Sequence, residues 1–299
     1  ERGRAIAVDS SGNVYVTGEF HATADFDPGD DTAELTPVDG TNGYALKLDS
    51  SGAYVWAKQF GLADGGESIA VDSSGNVYTT GTFTGTADFD PGDDTAELTS
   101  GAYNSKDPYV LKLDSSGNYL WVKSFVCDSS CYSESIAVDS SGNVYTTGTF
   151  TGTADFDPGE GTAELTSGGA YSIDPYILKL DSSGAYVWAR HFPCTSTCGE
   201  GGVAVDSSGN VYTTGYFRNT VDFDPGAGTA ELTATQDTDV YVSKLDSSGN
   251  YVWARHFPGS TTGSSQHTYD IGLSVAVDSS GNVYTTGYFE GTADFDPGA

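Results

Sequence analysis

Five short acidic segments carry the residues best suited to chemistry in this chain. They are Asp25/Asp27, Asp88/Asp90, Asp155/Asp157, Asp222/Asp224 and Asp294/Asp296, each inside a DFDPG run. Residues i and i+2 of an extended strand point to the same side, so each pair sets two carboxylates together. Such neighbours repel unless a cation or several N–H donors sit between them. Closely spaced hard oxygens suit Ca2+, which takes roughly six to eight oxygen ligands. Glu34, Glu97, Glu164 and Glu231, in a recurring TAEL segment, offer a further ligand. The loops are not uniform: Asp30-Asp31 and Asp93-Asp94 become Glu160-Gly161 and Ala227-Gly228, and no full D-x-D-x-D-G loop is present. A competing reading needs no metal. The second Asp caps a D-P-G turn, in which Pro presets φ and Gly takes the left-handed position.

Cys127/Cys131 and Cys194/Cys198 stand in C-x3-C pairs at equivalent places, 67 residues apart. Two local disulfides in an oxidising compartment are the favoured reading. The alternative is a single zinc site in which all the cysteines of two neighbouring units are ligands. Catalysis has little to stand on. Of His21, His191, His256 and His267, two occupy matching WARHFP positions and read as exposed edge residues. There is no GxSxG elbow and no HExxH helix. Paired acids can serve a glycosidase, but these pairs recur in every copy, whereas an active site needs one asymmetric constellation. The expectation is a protein that is not an enzyme. Trp56, Trp121, Trp188 and Trp253, with Lys47, Lys112, Lys179 and Lys244, recur once per copy and read as scaffold, the lysines pairing with acids on neighbouring strands.

The elements that position these residues follow from a repeat. AVDSSGNVY-x-TG-x-F begins its turn at Asp9, Asp72, Asp139, Asp206 and Asp278, in steps of 63, 67, 67 and 72 residues. A period of this length marks a propeller or solenoid. Within one copy, Val77–Phe83 is rich in branched and aromatic residues and follows an Asp-Ser-Ser-Gly-Asn turn, as a hairpin requires. A second hairpin runs from Tyr109 through the Asp114 turn to Phe125. Two hairpins per period make a four-stranded antiparallel blade, and no stretch carries a sustained helical period. The expected fold is an all-β propeller with four complete blades and a fifth half-blade, either five-bladed or part of a larger ring. The blades fall at about 1–63, 64–130, 131–198, 199–269 and 270–299 of a single domain.

The VDSSGNVYxTGxF run resembles the repeat of the SBBP family of bacterial β-propellers in all five copies. The resemblance implies a secreted or surface-attached protein and leaves the activity undefined.

Strand order places every DSSG turn on one face of the disc. It predicts the DFDPG inserts and the blade-to-blade linkers on the opposite face, where binding function usually resides on variable loops. The linkers Gly61–Glu67 and Pro258–Gly272, the latter with His267 and Tyr269, are the local candidates for ligand contact. The chain opens at Glu1 without Met and reads as a mature or excised piece. Its fifth blade lacks two outer strands as written, to be supplied by a continuing chain or another subunit.

Forty-two acids against 12 bases give a net charge of −30, which disfavours nucleic acid and anionic lipid as partners. No apolar run approaches a membrane span, and no Asn-x-Ser/Thr sequon occurs. The expected role is a non-catalytic extracellular or cell-surface structural module that builds a fibre or surface assembly by self-association. The alternative is a lectin-like or adhesive module for glycans or surface proteins, with Ca2+ the one cofactor in view and none required.

Overall fold

A computed structural model describes residues 1–38, 40–61, 63–101, 105–169, 171–235, 237–260 and 269–296. Leu62 and residues 261–268, including His267, therefore lie outside the described residues.

Each repeat begins with a turn that one carboxylate organises. Asp72 Oδ1 accepts the Ser74 and Asn76 N–H groups at 2.9 and 3.0 Å, and Oδ2 accepts Asn76 Nδ2 and the Tyr78 hydroxyl at 2.8 and 2.9 Å. Gly75 completes the turn at φ 79°, a left-handed conformation that other residues avoid. The turn joins the inner strand Ala63–Val71 to the second strand Val77–Phe83, whose residues are all buried. The third strand Asp107–Leu113 and outer strand Tyr119–Ser124 complete an antiparallel sheet in sequential order.

Four such sheets are present, with inner strands Arg2–Val8, Ala63–Val71, Cys131–Val138 and Gly199–Val205. Among the described residues, a fifth sheet is made of Ile271–Val277 and Val283–Tyr288. The architecture is all-β, and among the described residues there is no helix. Inner strands of successive blades touch, and all five together line one opening through Ala7, Ala70, Ala137, Ala204 and Ala276, which places them around a common axis.

Aromatic rings fill the space between blades. Tyr15, Tyr78, Tyr145 and Tyr212, at most 1% exposed, each meet the Trp of their own blade edge-on at 6.2–6.4 Å. Such pairs favour an edge-to-face geometry because of the ring quadrupole.

The acidic inserts run differently from the sequence expectation. Thr86–Asp88 and Glu97–Thr99 form a small hairpin that folds back along the blade, and its DPGDD tip meets the third-to-fourth-strand turn. In the first blade, Asp27, Asp30 and Asp31 face Ser51, Gly52 and Tyr54 across a cleft of about 440 Å3. The insert tips thus share the face of the DSSG turns, not the opposite one. The cause is Phe89, fully buried and packed on Phe83 and Tyr109 at 5.4 and 4.7 Å, which pulls the hairpin onto the blade's flank. Linkers dock on these hairpins too: Val126–Cys127 pairs with Thr153–Asp155 of the following blade.

Candidate functional site

Hydrogen bonds account for much of the acidic pairs. Asp88 Oδ1 accepts the N–H groups of Asp90 and Ala96 at 3.0 and 2.8 Å, while Asp90 Oδ1 accepts that of Gly92 at 2.7 Å. Asp25 and Asp27 repeat this set in the first blade, and two N–H donors hold Asp25 below the usual carboxylate range. Asp155 accepts the N–H groups of Asp157 and Ala163, and Asp222 those of Asp224 and Ala230. Asp294 accepts the Asp296 N–H at 2.9 Å.

The second acids make the D-P-G cap that the sequence offers as its metal-free reading. Asp157 Oδ1 accepts the Gly159 N–H at 2.8 Å, and Asp224 Oδ1 accepts the Gly226 N–H at 2.8 Å. The other oxygen of Asp157 leans over Gly161, and that of Asp224 over Gly228, close enough that a Cβ on either glycine would collide with it. Asp157 and Asp224 are therefore turned into their own D-P-G turns, where a backbone N–H group is the donor to each. Glu34, Glu97, Glu164 and Glu231 stand directly opposite Asp25, Asp88, Asp155 and Asp222 in the two-stranded register. Like charges in that position repel. Among the described residues, no three His, Cys, Asp or Glu side chains converge as a metal-binding group.

Cysteines form two disulfides, Cys127–Cys131 and Cys194–Cys198, with Cα separations of 6.2 and 6.3 Å. The second closes its linker beside the buried aspartate that opens a third strand: Cys194 N–H donates to Asp174 Oδ1 at 3.2 Å. His191 is not an exposed edge residue. Its side chain is 17% exposed, 3.9 Å from Asp174 and edge-on to Phe150, and burial lowers its pKa. His256 packs on Phe217 at 5.8 Å. His21 stays at the surface, with Nδ1 2.7 Å from Thr41 Oγ1. Tyr269, from the long linker, lies under the Arg218 guanidinium at 5.8 Å.

The recurring Lys and Trp grip carbonyls where acids were expected. Lys47 Nζ and Trp56 Nε1 both donate to the Ser115 carbonyl in the next blade's third-to-fourth-strand turn, at 3.1 and 3.2 Å. Lys179 and Trp188 grip the Ser247 carbonyl identically, and Lys112 grips that of Ser182. Each ammonium also lies over its blade's tyrosine, at 4.8–5.2 Å. These contacts clasp one blade to the next.

One place in the repeat is chemically different from blade to blade. The inner strand carries one extra residue against its partner, a β-bulge, between Gly3/Ala5, Gly66/Ser68, Ser133/Ser135, Glu200/Gly202 and Gly272/Ser274. The extra residues are Arg4, Glu67, Glu134, Gly201 and Leu273. Bulges re-aim side chains, so this ring is where the blades can differ without disturbing the sheets. Arg4 bridges Glu67 and Glu19, at 3.2 Å each. Glu134 keeps some surface, yet burial, followed by the Glu67 charge, pushes it up to about 8. Glu200, 4% exposed, accepts a hydrogen bond from the Tyr241 hydroxyl, and burial raises its pKa well above the carboxylate range. Beyond this ring the channel mouth is apolar, about 370 Å3 and lined by Ala, Val and Ile. Sequence reading missed this group. Its one signal is the variable residue two positions before Ile6, Ile69, Ile136, Val203 and Val275, inside an otherwise similar run.

Comparison with known proteins follows the same lines. The SBBP β-propeller repeat profile matches residues 2–19, 55–89 and 128–156. An uncharacterized WD repeat-containing protein of Acanthamoeba polyphaga mimivirus is 24% identical over 286 aligned residues. That alignment covers 87% of this chain but only 20% of the viral protein, so the chain spans about a fifth of its curated relative.

Proposed function

We propose that this chain, an SBBP-type β-propeller repeat protein, is a non-catalytic structural module that works outside the cell or on its surface, as a unit of a fibre or surface assembly. One observation carries the reading: the recurring polar side chains are spent on architecture. In each full blade the Asp of the DSSG turn takes several donors, the DFDPG acids hold their own loop, and the lysine lies on the blade's own tyrosine. Two disulfides are compatible with an oxidising setting, and a net charge of −30 keeps a β-rich surface soluble. Electron microscopy of the purified full chain over rising concentration should show ordered assemblies, and protease shaving of intact source cells should release its peptides. Monodisperse particles at every concentration, with peptides released only after lysis, would reject the reading.

A lectin-like or adhesive module that depends on Ca2+ is the second reading. The four opposed Asp–Glu pairs of the inserts favour it, since a divalent cation would relieve their repulsion. Its search surface is the DSSG face, where the insert tips lie. Glycan binding by the full chain that disappears on chelation would put this reading first.

A further inference from the structure

One seam between successive blades departs from the others. The residue that opens each inner-strand bulge is paired with a glycine of its own second strand: Gly3 with Gly18, Gly66 with Gly81, Ser133 with Gly148, Glu200 with Gly215 and Gly272 with Gly287. Across the seam it meets a threonine of the preceding blade. A Cβ on Gly66 would collide with Thr17 Oγ1, and one on Gly272 with Thr214 Oγ1, while Ser133 Oγ lies 2.6 Å from Thr80 Oγ1. The space there admits Gly or Ser and little more. The fourth blade sets a glutamate in it. Glu200 is 4% exposed, and the threonine at the matching place of the third blade, one residue before Gly148, is Thr147, 0% exposed.

Thr147 also lacks the bond that its equivalents make. Thr17, Thr80 and Thr214 each donate to the carbonyl of the neighbouring third-strand tyrosine, Tyr44, Tyr109 and Tyr241, at 2.7, 2.6 and 2.8 Å. Thr147 Oγ1 is buried without a partner among the described residues, and so is Glu200 Oε1. The other carboxyl oxygen, Oε2, takes the Tyr241 hydroxyl. Two partnerless oxygens thus stand on opposite walls of one seam. Buried polar atoms nearly always have a partner, so such a pair marks the place of a small bridging species. Carboxylate and hydroxyl are hard oxygen donors, which suit hard cations. One acid is sealed in this seam, and among the described residues no three acids converge, so charge balance favours a monovalent ion over a divalent one. The tightness of the seam favours a small one. Glu134 and Thr149 stand together at its axial end, where Glu134 keeps some surface and its charge reaches Glu200, which gives a cation a way in from the channel.

We propose that the seam between the third and fourth blades is a binding site for one Na+ ion, held by Glu200 Oε1 and Thr147 Oγ1, with water completing its shell from the Glu134 side. The ion compensates a buried carboxylate that would otherwise stand uncompensated in the interior. It also ties the second strand Val144–Phe150 of one blade to the inner strand Gly199–Val205 of the next. Glu200 is the one acid among the five residues at this register position, so the site is a single asymmetric feature in a chain whose other recurring acids are shared between blades. It lies wholly within the third and fourth blades and stands whether or not the chain builds a surface assembly.

Thermal melts of the full chain at pH 9 and constant ionic strength, in NaCl, KCl or choline chloride, test the site, because a cation binds a carboxylate in its deprotonated form. NaCl should give a midpoint about 2–4 °C above the other two salts, since a ligand that binds only the folded chain stabilises it by mass action. E200Q keeps the shape of the side chain and loses its charge, and T147V keeps the shape and loses the hydroxyl. Each should melt cooperatively in choline chloride and lose the sodium excess. Because a variant in so tight a seam can fail to fold, the sodium-23 resonance supplies a second reading on the parent chain. The folded chain should broaden it, K+ in modest excess should leave it broad, and unfolding should sharpen it. Equal midpoints in the three salts with an unbroadened resonance overturn the proposal, since a neutral bridge then suffices. So does a sodium excess that survives in both variants, and an equal gain in KCl overturns Na+ as the occupant.

Discussion

A single carboxylate does most of the local work in each repeat, and its environment sets what its loss costs. Burial works to raise the pKa of Asp139, but hydrogen bonds from Asn143, Ser141 and Tyr145 outweigh it and hold the group below 3.8. A depressed value means stability that is present above the unfolded pKa and lost as pH falls through the folded one. Asp139→Ala should cost about 2 kcal/mol at neutral pH, the worth of several charge-assisted bonds discounted for partial exposure. The penalty should shrink as pH falls below about 4, the unfolded carboxylate range, as read from denaturant midpoints. Asp278 makes the same bonds on the exposed half-blade, and Asp278→Ala should lower the midpoint distinctly less. Equal losses would show that blade packing adds nothing to the turn.

Glu134 behaves in the opposite sense. With a folded value of about 8 against 4.5 unfolded, it keeps a proton that the unfolded chain sheds. Its penalty is absent below pH 4.5, grows as pH rises, and is complete near pH 8. E134Q should therefore match the parent at about pH 4 and exceed it above about pH 8, on the order of 2 kcal/mol after allowing for water in the channel. Thermal melts at the two pH values check this, and a variant no more stable on the alkaline side sinks it.

Among the elements, strands and turns were legible in the sequence while the course of the inserts was not. The DSSG turns are local: the donors that Asp72 collects lie within six residues of it. Alternation and turn residues therefore suffice to find them. The insert's direction depends on Phe89 entering a space that only the assembled sheet creates, and the clasp joins Lys47 to Ser115, 68 residues away. Neither is visible in a window of one repeat. Asp157 and Asp224 lie on the legible side at the candidate site: the D-P-G cap read from the sequence is the bond each makes to the Gly159 or Gly226 N–H. The bulge ring escaped because an extra residue is recognised only against its partner strand. The disulfides make an element-scale prediction. Each closes a loop with a sequence separation of 4, so loop entropy gives each about 2 kcal/mol at most. Cys127→Ser/Cys131→Ser should lower the midpoint by no more than that, while opening the Val126–Cys127 pairing with Thr153–Asp155 to limited proteolysis before any blade is cut. Collapse of the whole fold on reduction would contradict this.

At the scale of the whole molecule, charge is the largest force that local packing leaves uncompensated. The chain has 42 acids and 12 bases, and several of those bases point at backbone carbonyls: Lys47, Lys112 and Lys179 at serine carbonyls, Arg190 at those of Ser248 and Gly249. The acids are left to repel one another across the DSSG face. Screening alone should then stabilise the fold, because the Debye length falls from about 30 Å at 0.01 M to about 8 Å at 0.15 M salt. Added NaCl should raise the melting midpoint by a few degrees. Ca2+ adds a separable question, since a diffuse counterion and a bound one act differently. If the opposed Asp–Glu pairs merely feel the general field, CaCl2 and NaCl at matched ionic strength give the same midpoint. If they hold the ion, CaCl2 gives the higher midpoint, and E97Q/E164Q removes that excess while leaving the NaCl effect intact. Matched midpoints would retire the calcium-dependent reading and leave the acids as solubility and turn chemistry alone.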